Sequence, residues 1–274
     1  MKKLKDNLII KAGSDVLWGE NGQTQNSHRN FQVIGKQLID LPERKVNPLD
    51  PIFVTSGGIR AGMSRVGLED RPSKTTQMPE LQRLACIGWL HLLSIWDRHL
   101  EERVIGGMLL TRRELDENTR EREEALKTIY TMLYHGDLPI INENDAVTHE
   151  EIAFGDNDLL AASLGVAIKE SSMFGRLVGL VVLSTSPGLC IDKRDPSTRV
   201  ARVNDVDLVR HLVDDDSREI SNGGMNSKLA AAELLTNAGI DMWVANGWEE
   251  DAIQRAMNGE IGTHFVAKPQ DNVE

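Results

Sequence analysis

Four apolar runs limit what this chain can fold into, because each stops at glycine or short polar residues. Leu8-Ile9-Ile10 leads into Lys11-Ala12-Gly13-Ser14, and Ile52-Phe53-Val54-Thr55 leads into Ser56-Gly57-Gly58. Leu138-Pro139-Ile140-Ile141 leads into Asn142-Glu143-Asn144-Asp145, and the apolar stretch 178–183 into Ser184-Thr185-Ser186-Pro187-Gly188. Short apolar stretches without alternation are what strands covered on both faces require. Between them lie stretches with helical spacing. Phe31, Ile34 and Leu38 make one stripe, ending near Pro42. Leu81, Leu84, Gly88, Leu92 and Ile95 make another, with Pro79 suited to a first turn and Glu80 to the positive end of the helix dipole. Strands alternating with helices argue for an α/β fold with a mainly parallel sheet, helices on both sides and ligands at the strand C-terminal ends.

The remaining elements follow the same rhythm. Residues 104–111 read as a strand despite Gly106-Gly107. The charged stretch from 114 to 127 reads as the solvated face of a helix whose buried stripe is Ala125, Ile129 and Met132, with Gly136 as its C-cap. Asp158 opens an apolar helical run, and the helix cap lies within Asp156-Asn157-Asp158. A helix follows from 225 to about 238, stopped by Gly239, then a strand over 242–245, a helix over 251–257 and a short strand over 261–266. Asn21-Gly22 marks a turn. Residues 43–50, 71–78 and 192–197 read as loops, and Asp214-Asp215-Asp216 as a solvated acidic surface. No repeat or composition break divides the chain, so residues 1–274 are expected to form one domain.

Composition narrows the function classes. A net charge of −11 opposes a sequence-independent nucleic-acid surface, and 4% aromatic residues offer no stacking platform for bases. Cys86 and Cys190 stand in unrelated contexts, as suits a reducing cytosol. The N-terminal apolar run is too short for a signal peptide, and no run is long enough to span a membrane. A cytoplasmic protein without membrane or nucleic-acid partners is expected.

The chemistry-bearing residues gather at the predicted strand ends. Lys11, ahead of Gly13-Ser14, puts an ammonium above a turn whose N–H groups can take an anion. Asn222-Gly223-Gly224-Met225-Asn226-Ser227-Lys228 is a second glycine-to-helix anion site; it lacks the Gly-x-x-x-x-Gly-Lys-Ser/Thr pattern of a P-loop. A lysine in a helix's first turn opposes the dipole, which hints at a phosphate partner. Either lysine by itself fits an ordinary surface role about as well. Ser56-Gly57-Gly58 is a tight turn that would also let a carboxylate approach the backbone. The seven histidines are scattered, and no Cys/His metal site or Gly-x-Ser-x-Gly elbow is present. Two glycine-lysine sites with an Asp/Asn cluster suit phosphoryl transfer. That reaction asks for positive charge on the moving group, a place for Mg²⁺ and a fixed acceptor.

These residues, with Leu109-Leu110-Thr111, Phe154-Gly155-Asp156-Asn157-Asp158 and Gly223-Gly224-Met225 followed by Lys228, resemble the glutamate 5-kinases of the amino acid kinase family. The matches run in family order over nearly the whole chain. The resemblance implies a three-layer αβα sandwich with a mainly parallel central sheet. It implies ATP- and Mg²⁺-dependent phosphorylation of the side-chain carboxylate of L-glutamate, the first step toward proline, in a homo-oligomer (dimer or tetramer). Lys11 and Lys228 would stabilise the moving phosphoryl, with Asp158 orienting both. Ser56, Gly57, Asn142, Asp145, Asp156 and Asn157 would hold glutamate. Lys11, Gly13, Thr185, Ser186 and the stretch from Asn222 to Lys228 (Gly223, Gly224, Met225, Asn226 and Ser227 included) would line the ATP site, mainly from the C-terminal part of the chain. The chain departs from the family at Thr185-Ser186-Pro187-Gly188-Leu189-Cys190, where an Asp and a Tyr are usual, and at Arg60, where a small residue is common. It stops after the kinase domain, without the C-terminal PUA domain of many members. A related kinase with another carboxylate or phosphate acceptor, or an amino-acid sensor that kept the fold, stays open at this point.

Overall fold

The computed structural model describes residues 5–19, 27–73, 76–117, 119–147, 157–213 and 224–270. The Asn21-Gly22 turn and the 214–216 acidic run lie outside these residues. Chain order gives β1 (Asp6–Ala12), α1 (Ser14–Trp18), α2 (Ser27–Glu43), β2 (Leu49–Thr55), α3 (Gly58–Val66), α4 (Met78–His99), β3 (Ile105–Leu110), α5 (Arg120–His135) and β4 (Leu138–Glu143). Then come α6 (Asn157–Glu170), β5 (Leu177–Ser184), β6 (Arg202–Val203), α7 (Met225–Asn237), β7 (Asp241–Asn246), α8 (Ala252–Met257) and β8 (Thr263–Phe265). The strands form one eight-stranded sheet in the order β3-β4-β2-β1-β5-β7-β8-β6. Every neighbouring pair is parallel except β7 with β8.

The apolar strands are explained by helices on both faces. Successive strand residues point to opposite sides, and the two halves of the core divide accordingly. Ile9, Val54, Ile141 and Val182 pack with Leu126 and Ile129 of α5, Leu160 and Leu164 of α6 and Leu229 and Leu235 of α7. Leu8, Ile10, Phe53, Ile140 and Leu183 pack with Phe31 and Leu38 of α2, Leu92 and Trp96 of α4 and Ile253 of α8. This is the expected αβα arrangement. It also fixes a polar residue: Lys11 lies two positions beyond Ile9 and therefore faces α6 and α7.

Local sequence placed some boundaries differently. The helix expected from 114 starts at Arg120, where the Thr119 hydroxyl accepts from the Arg122 N–H at 3.2 Å. Ahead of it Arg112–Leu115 is a separate 3₁₀ turn, held by the Glu114 carboxylate, which accepts from the Thr111 backbone N–H and hydroxyl at 2.5 and 2.6 Å. Leu126 and Leu133 complete the buried stripe of α5, while Met132 is only half-buried. β2 begins at Leu49 and includes Pro51, which was expected in a loop. Pro51 lies where the strand pairs with β1 but not yet with β4, whose pairing begins at Phe53. Neither α1 nor β6 was expected, because five and two residues are too few to show a period.

α3 and α4 cross at backbone distance. A Cβ on Gly88 would overlap the carbonyl oxygen of Gly58, and one on Gly62 would overlap that of Leu84. Gly88→Ala should therefore force the helices apart and lower stability by about 1–3 kcal/mol, as over-packing does. A urea unfolding midpoint equal to wild type would show that this crossing is looser than described.

Candidate active site

The C-terminal ends of β4, β2, β1, β5 and β7 lie side by side, and the chemistry sits on that edge. Asp158, in the first turn of α6, is fully buried between two lysines. Lys11 Nζ, at the end of β1, lies 2.5 Å from Asp158 Oδ1, and Lys228 Nζ, in the first turn of α7, lies 3.1 Å from Oδ2. Both lysine side chains are about 95% buried. Burial alone would raise the pKa of Asp158, but the charges and hydrogen bonds of Lys11 and Lys228 outweigh it and hold the carboxyl well below the usual carboxylate range. Two buried ammonium groups are thus brought to the two oxygens of one buried carboxylate. A buried ammonium is costly without a counter-ion, so the arrangement is suited to receive an anion. Each ammonium carries three donors, so contact with Asp158 does not by itself exhaust either lysine.

Gly13 lies beside the Lys11 ammonium, where an added Cβ would make only an ordinary 3.9 Å contact with Nζ. Gly224 is the N-cap of α7, extended (φ −64, ψ 178) and without a side-chain cap. The first-turn N–H groups of this 13-residue helix therefore have no intrahelical partner and point toward the site. Ser227 Oγ lies 3.0 Å from Asp158 Oδ2 and 2.9 Å from the Gly224 carbonyl, with one proton to serve either. Met225 is half-buried and Asn226 is exposed beside it.

On the β2–β4 side, Asn157 is the organiser. Its Nδ2 lies 2.8 Å from the Thr55 carbonyl, 2.9 Å from Ser56 Oγ and 2.8 Å from Asn142 Oδ1. Its Oδ1 accepts from the Glu143 N–H at 3.3 Å. The buried amide of Asn157 thus holds Ser56 and Asn142 in place, and its Oδ1 accepts one hydrogen bond. Gly57 follows Ser56 in the left-handed region (φ 99), and a Cβ there would overlap Trp18 Nε1. Only glycine meets both demands. Asp145 sits half-buried in the turn after β4.

The altered turn after β5 is self-contained. Ser186 Oγ donates to the Gly188 carbonyl at 2.6 Å, and the Leu189 N–H donates to Thr263 Oγ1 at 2.9 Å. The Ser186 hydroxyl, expected to face the nucleotide, is thus committed to its own turn, while Thr185 is half-buried next to it. Gly155, Asp156, Asn222 and Gly223 lie outside the described residues. Among the described residues no group of three or more His, Cys, Asp or Glu side chains is arranged to hold a metal, and no helix is long and apolar enough to cross a membrane. Sequence reasoning singled out Arg60 only as a departure and passed over Asp15 and Arg71. Arg60 donates to Asp15 Oδ1 at 2.6 Å and to the Gly19 carbonyl at 3.0 Å. Nothing periodic marks Arg71, a single cation in a loop.

A sequence profile of the amino acid kinase family matches residues 7–246. The chain is similar to the glutamate 5-kinase of Clostridium acetobutylicum, 33% identical over 268 residues that cover 95% of this chain and 94% of that one. It is also similar to the glutamate 5-kinase of Clostridium tetani, 34% identical, with 96% of each chain covered. Among solved structures, carbamate kinase from Giardia lamblia bound to AMP-PNP superposes with a TM-score of 0.63 over 97% of this chain and 99% of that one, at 15% identity. That likeness is one of fold.

Asp158→Ala would remove the carboxylate that both buried ammonium groups share and should cost about 3–5 kcal/mol in chemical unfolding. The folded pKa of Asp158 lies below the unfolded one. Its stabilisation is therefore complete above the unfolded value of roughly 3.9 and drains away as the pH falls toward the folded value. The wild-type-minus-variant difference should thus be flat across neutral pH and shrink only in acid. A difference that stays unchanged down to strongly acid pH would contradict the assignment.

Proposed function

The chain belongs to the amino acid kinase family, and we propose that it acts as a glutamate 5-kinase, moving the terminal phosphoryl group of ATP to the side-chain carboxylate of L-glutamate. One observation carries this reading: two buried ammonium groups from distant parts of the chain meet on one buried carboxylate at the strand ends.

In the proposed reaction a carboxylate oxygen of glutamate forms a bond to phosphorus while the bond from phosphorus to the bridging oxygen of ADP breaks, giving glutamyl 5-phosphate and ADP. The acceptor carboxylate, with an ordinary pKa of about 4.3, is ionised at neutral pH, so no general base is required. The barrier is largely the approach of two anions. Lys11 and Lys228, fixed in advance by Asp158, offset that repulsion without reorganising at the moment of transfer. Ser56, Gly57 and Asn142 receive the acceptor, and Asp145 takes its ammonium, with Asp156 as a further partner. That ammonium contact weighs against an acetylated acceptor, which has no such charge. The buried lysine pair weighs against a sensor, for which it would be only a cost.

Gly13, Thr185 and the residues from Asn222 to Lys228 form the ATP side, so that the N-terminal part of one kinase domain serves the acceptor and the C-terminal part the nucleotide. The uncapped start of α7 fits a phosphate. Both oxygens of Asp158 are taken by lysines, so the described residues fit a protein-held Mg²⁺ poorly. The ion is proposed to arrive on the nucleotide phosphates, as is usual for Mg²⁺. A cytoplasmic homo-oligomer completes the proposal.

With ATP and Mg²⁺, ADP release should be seen with L-glutamate and not with acetylglutamate; the reverse result would favour another acceptor. Lys228→Ala should lower kcat by roughly a hundredfold or more, the scale for losing a transition-state charge partner. Asp145→Ala should mainly raise the KM for glutamate, and an unchanged saturation curve would remove it from the acceptor site.

A further inference from the structure

Transfer between two bound groups is sensitive to their spacing: a misplacement of about 1 Å can cost on the order of a hundredfold in rate. On the glutamate 5-kinase reading, on which this inference rests, the critical spacing runs between two points. One is the Ser56-Gly57-Gly58 turn, which receives the acceptor, and the other is Lys11, which meets the phosphoryl. They lie at the ends of neighbouring parallel strands, β2 and β1, whose last paired residues are Thr55 and Ala12. Beyond that pair the sheet no longer holds the two turns together, and side chains must.

The short helix α1, which follows Lys11-Ala12-Gly13 directly, supplies a fixed point. Its residues Val16, Leu17 and Trp18 are buried in the core. From the end of β7, Trp248 donates its indole N–H to the Val16 carbonyl at 3.0 Å, and a Cβ on Gly247 would come within 2.7 Å of Val16 Cγ1. On the acceptor side two contacts reach the turn. The Trp18 ring lies so close to Gly57 that a Cβ there would overlap Nε1. That indole N–H has no hydrogen-bond partner among the described residues, so the ring acts there by packing alone. Arg60, in the first turn of α3, donates through one Nη to Asp15 Oδ1 at 2.6 Å and through the other to the Gly19 carbonyl at 3.0 Å. The guanidinium thus spans α1 from its first turn to its C-cap, which needs the forked donors of an arginine.

We propose that Arg60 is a positioning residue for the transfer step: by holding the start of α3 on α1 at two points, it fixes the acceptor turn relative to the Lys11 ammonium. Asp15 and the Gly19 carbonyl are its anchors, and Trp18 is the surface against which the turn is drawn. Asn157 restrains the same turn from the other side through Ser56 Oγ at 2.9 Å, so losing Arg60 loosens the turn without releasing it. The ion pair itself adds little to stability, because the side chain of Asp15 is 50% exposed and that of Arg60 25%. Its removal therefore shows in transfer and not in folding.

Wild type, Arg60→Ala, Arg60→Lys, Asp15→Ala and the Arg60→Ala/Asp15→Ala double variant are compared in glutamate-dependent ADP release, with ATP and Mg²⁺, and in thermal unfolding. Arg60→Ala should lower kcat roughly tenfold, a fraction of the cost of a full misplacement, with the KM for ATP and the Tm little changed. Asp15→Ala should act in the same direction but less, because the Gly19 contact survives. The double variant should be no slower than Arg60→Ala, as for two residues that act through one contact. Arg60→Lys, able to keep the Asp15 contact alone, should fall between wild type and Arg60→Ala. A wild-type kcat in Arg60→Ala, or a double variant slowed by the product of the two single losses, would overturn the positioning role and leave the kinase reading intact. So would a kcat loss that comes with a large fall in Tm, which would make Arg60 a residue of the fold alone. If wild type releases no ADP with glutamate, the reading of the reaction falls, and the positioning role with it.

Discussion

Asp158 is fully buried between two ammonium groups, one from the first strand and one from a helix more than two hundred residues later. Keeping those three charges together constrains much of the fold. Lys11 must leave β1 on the face covered by α6 and α7, which the two-residue alternation from Ile9 secures. α6 and α7 must start at the same edge of the sheet, which a parallel β-α order supplies. Each lysine meets its own oxygen of Asp158, so the carboxylate fixes both ammonium groups at once. A buried ion group of this kind is a poor stabiliser compared with apolar packing, so its presence is better explained by the anion it can receive.

A second constraint joins the acceptor side to this centre. Asn157, one residue before Asp158, ties the ends of β2 and β4 through Thr55, Ser56, Asn142 and Glu143. Trp96 of α4 donates its indole N–H to Thr55 Oγ1 at 3.1 Å from the opposite face of the sheet. The first two residues of α6 therefore set both halves of the site, Asn157 the acceptor turn and Asp158 the phosphoryl turn. The close crossing of α3 and α4 holds the Ser56-Gly57-Gly58 turn from behind. Acceptor position and phosphoryl position are coupled through a few buried polar contacts, so an error in one is transmitted to the other.

The turn after β5 and Arg60 fall at the edges of this frame. The turn after β5 closes on itself through Ser186 and is pinned to Thr263, so its changed residues leave the lysine centre intact. Arg60 is absorbed in a bridge to α1. Neither contributes a charge to the Lys11–Asp158–Lys228 centre.

The sequence by itself determined the alternation of buried strands and helices, because continuous apolar runs and 3.6-residue stripes are local patterns. It also marked Lys11, Asp158 and Lys228 as candidates, through two glycine-lysine turns and an Asp/Asn cluster taken together with the family resemblance. Short or unperiodic pieces escaped it: α1, β6, the start of α5 at Thr119, and Arg71. Only the tertiary structure decided that the two lysines share one carboxylate, that the amide of Asn157 is taken up by the framework, and that Arg60 bridges to Asp15 of α1. The reason is physical. Periodicity reports which side of an element is buried, whereas the meeting of charges from distant elements depends on sheet order and strand register, which no local pattern encodes.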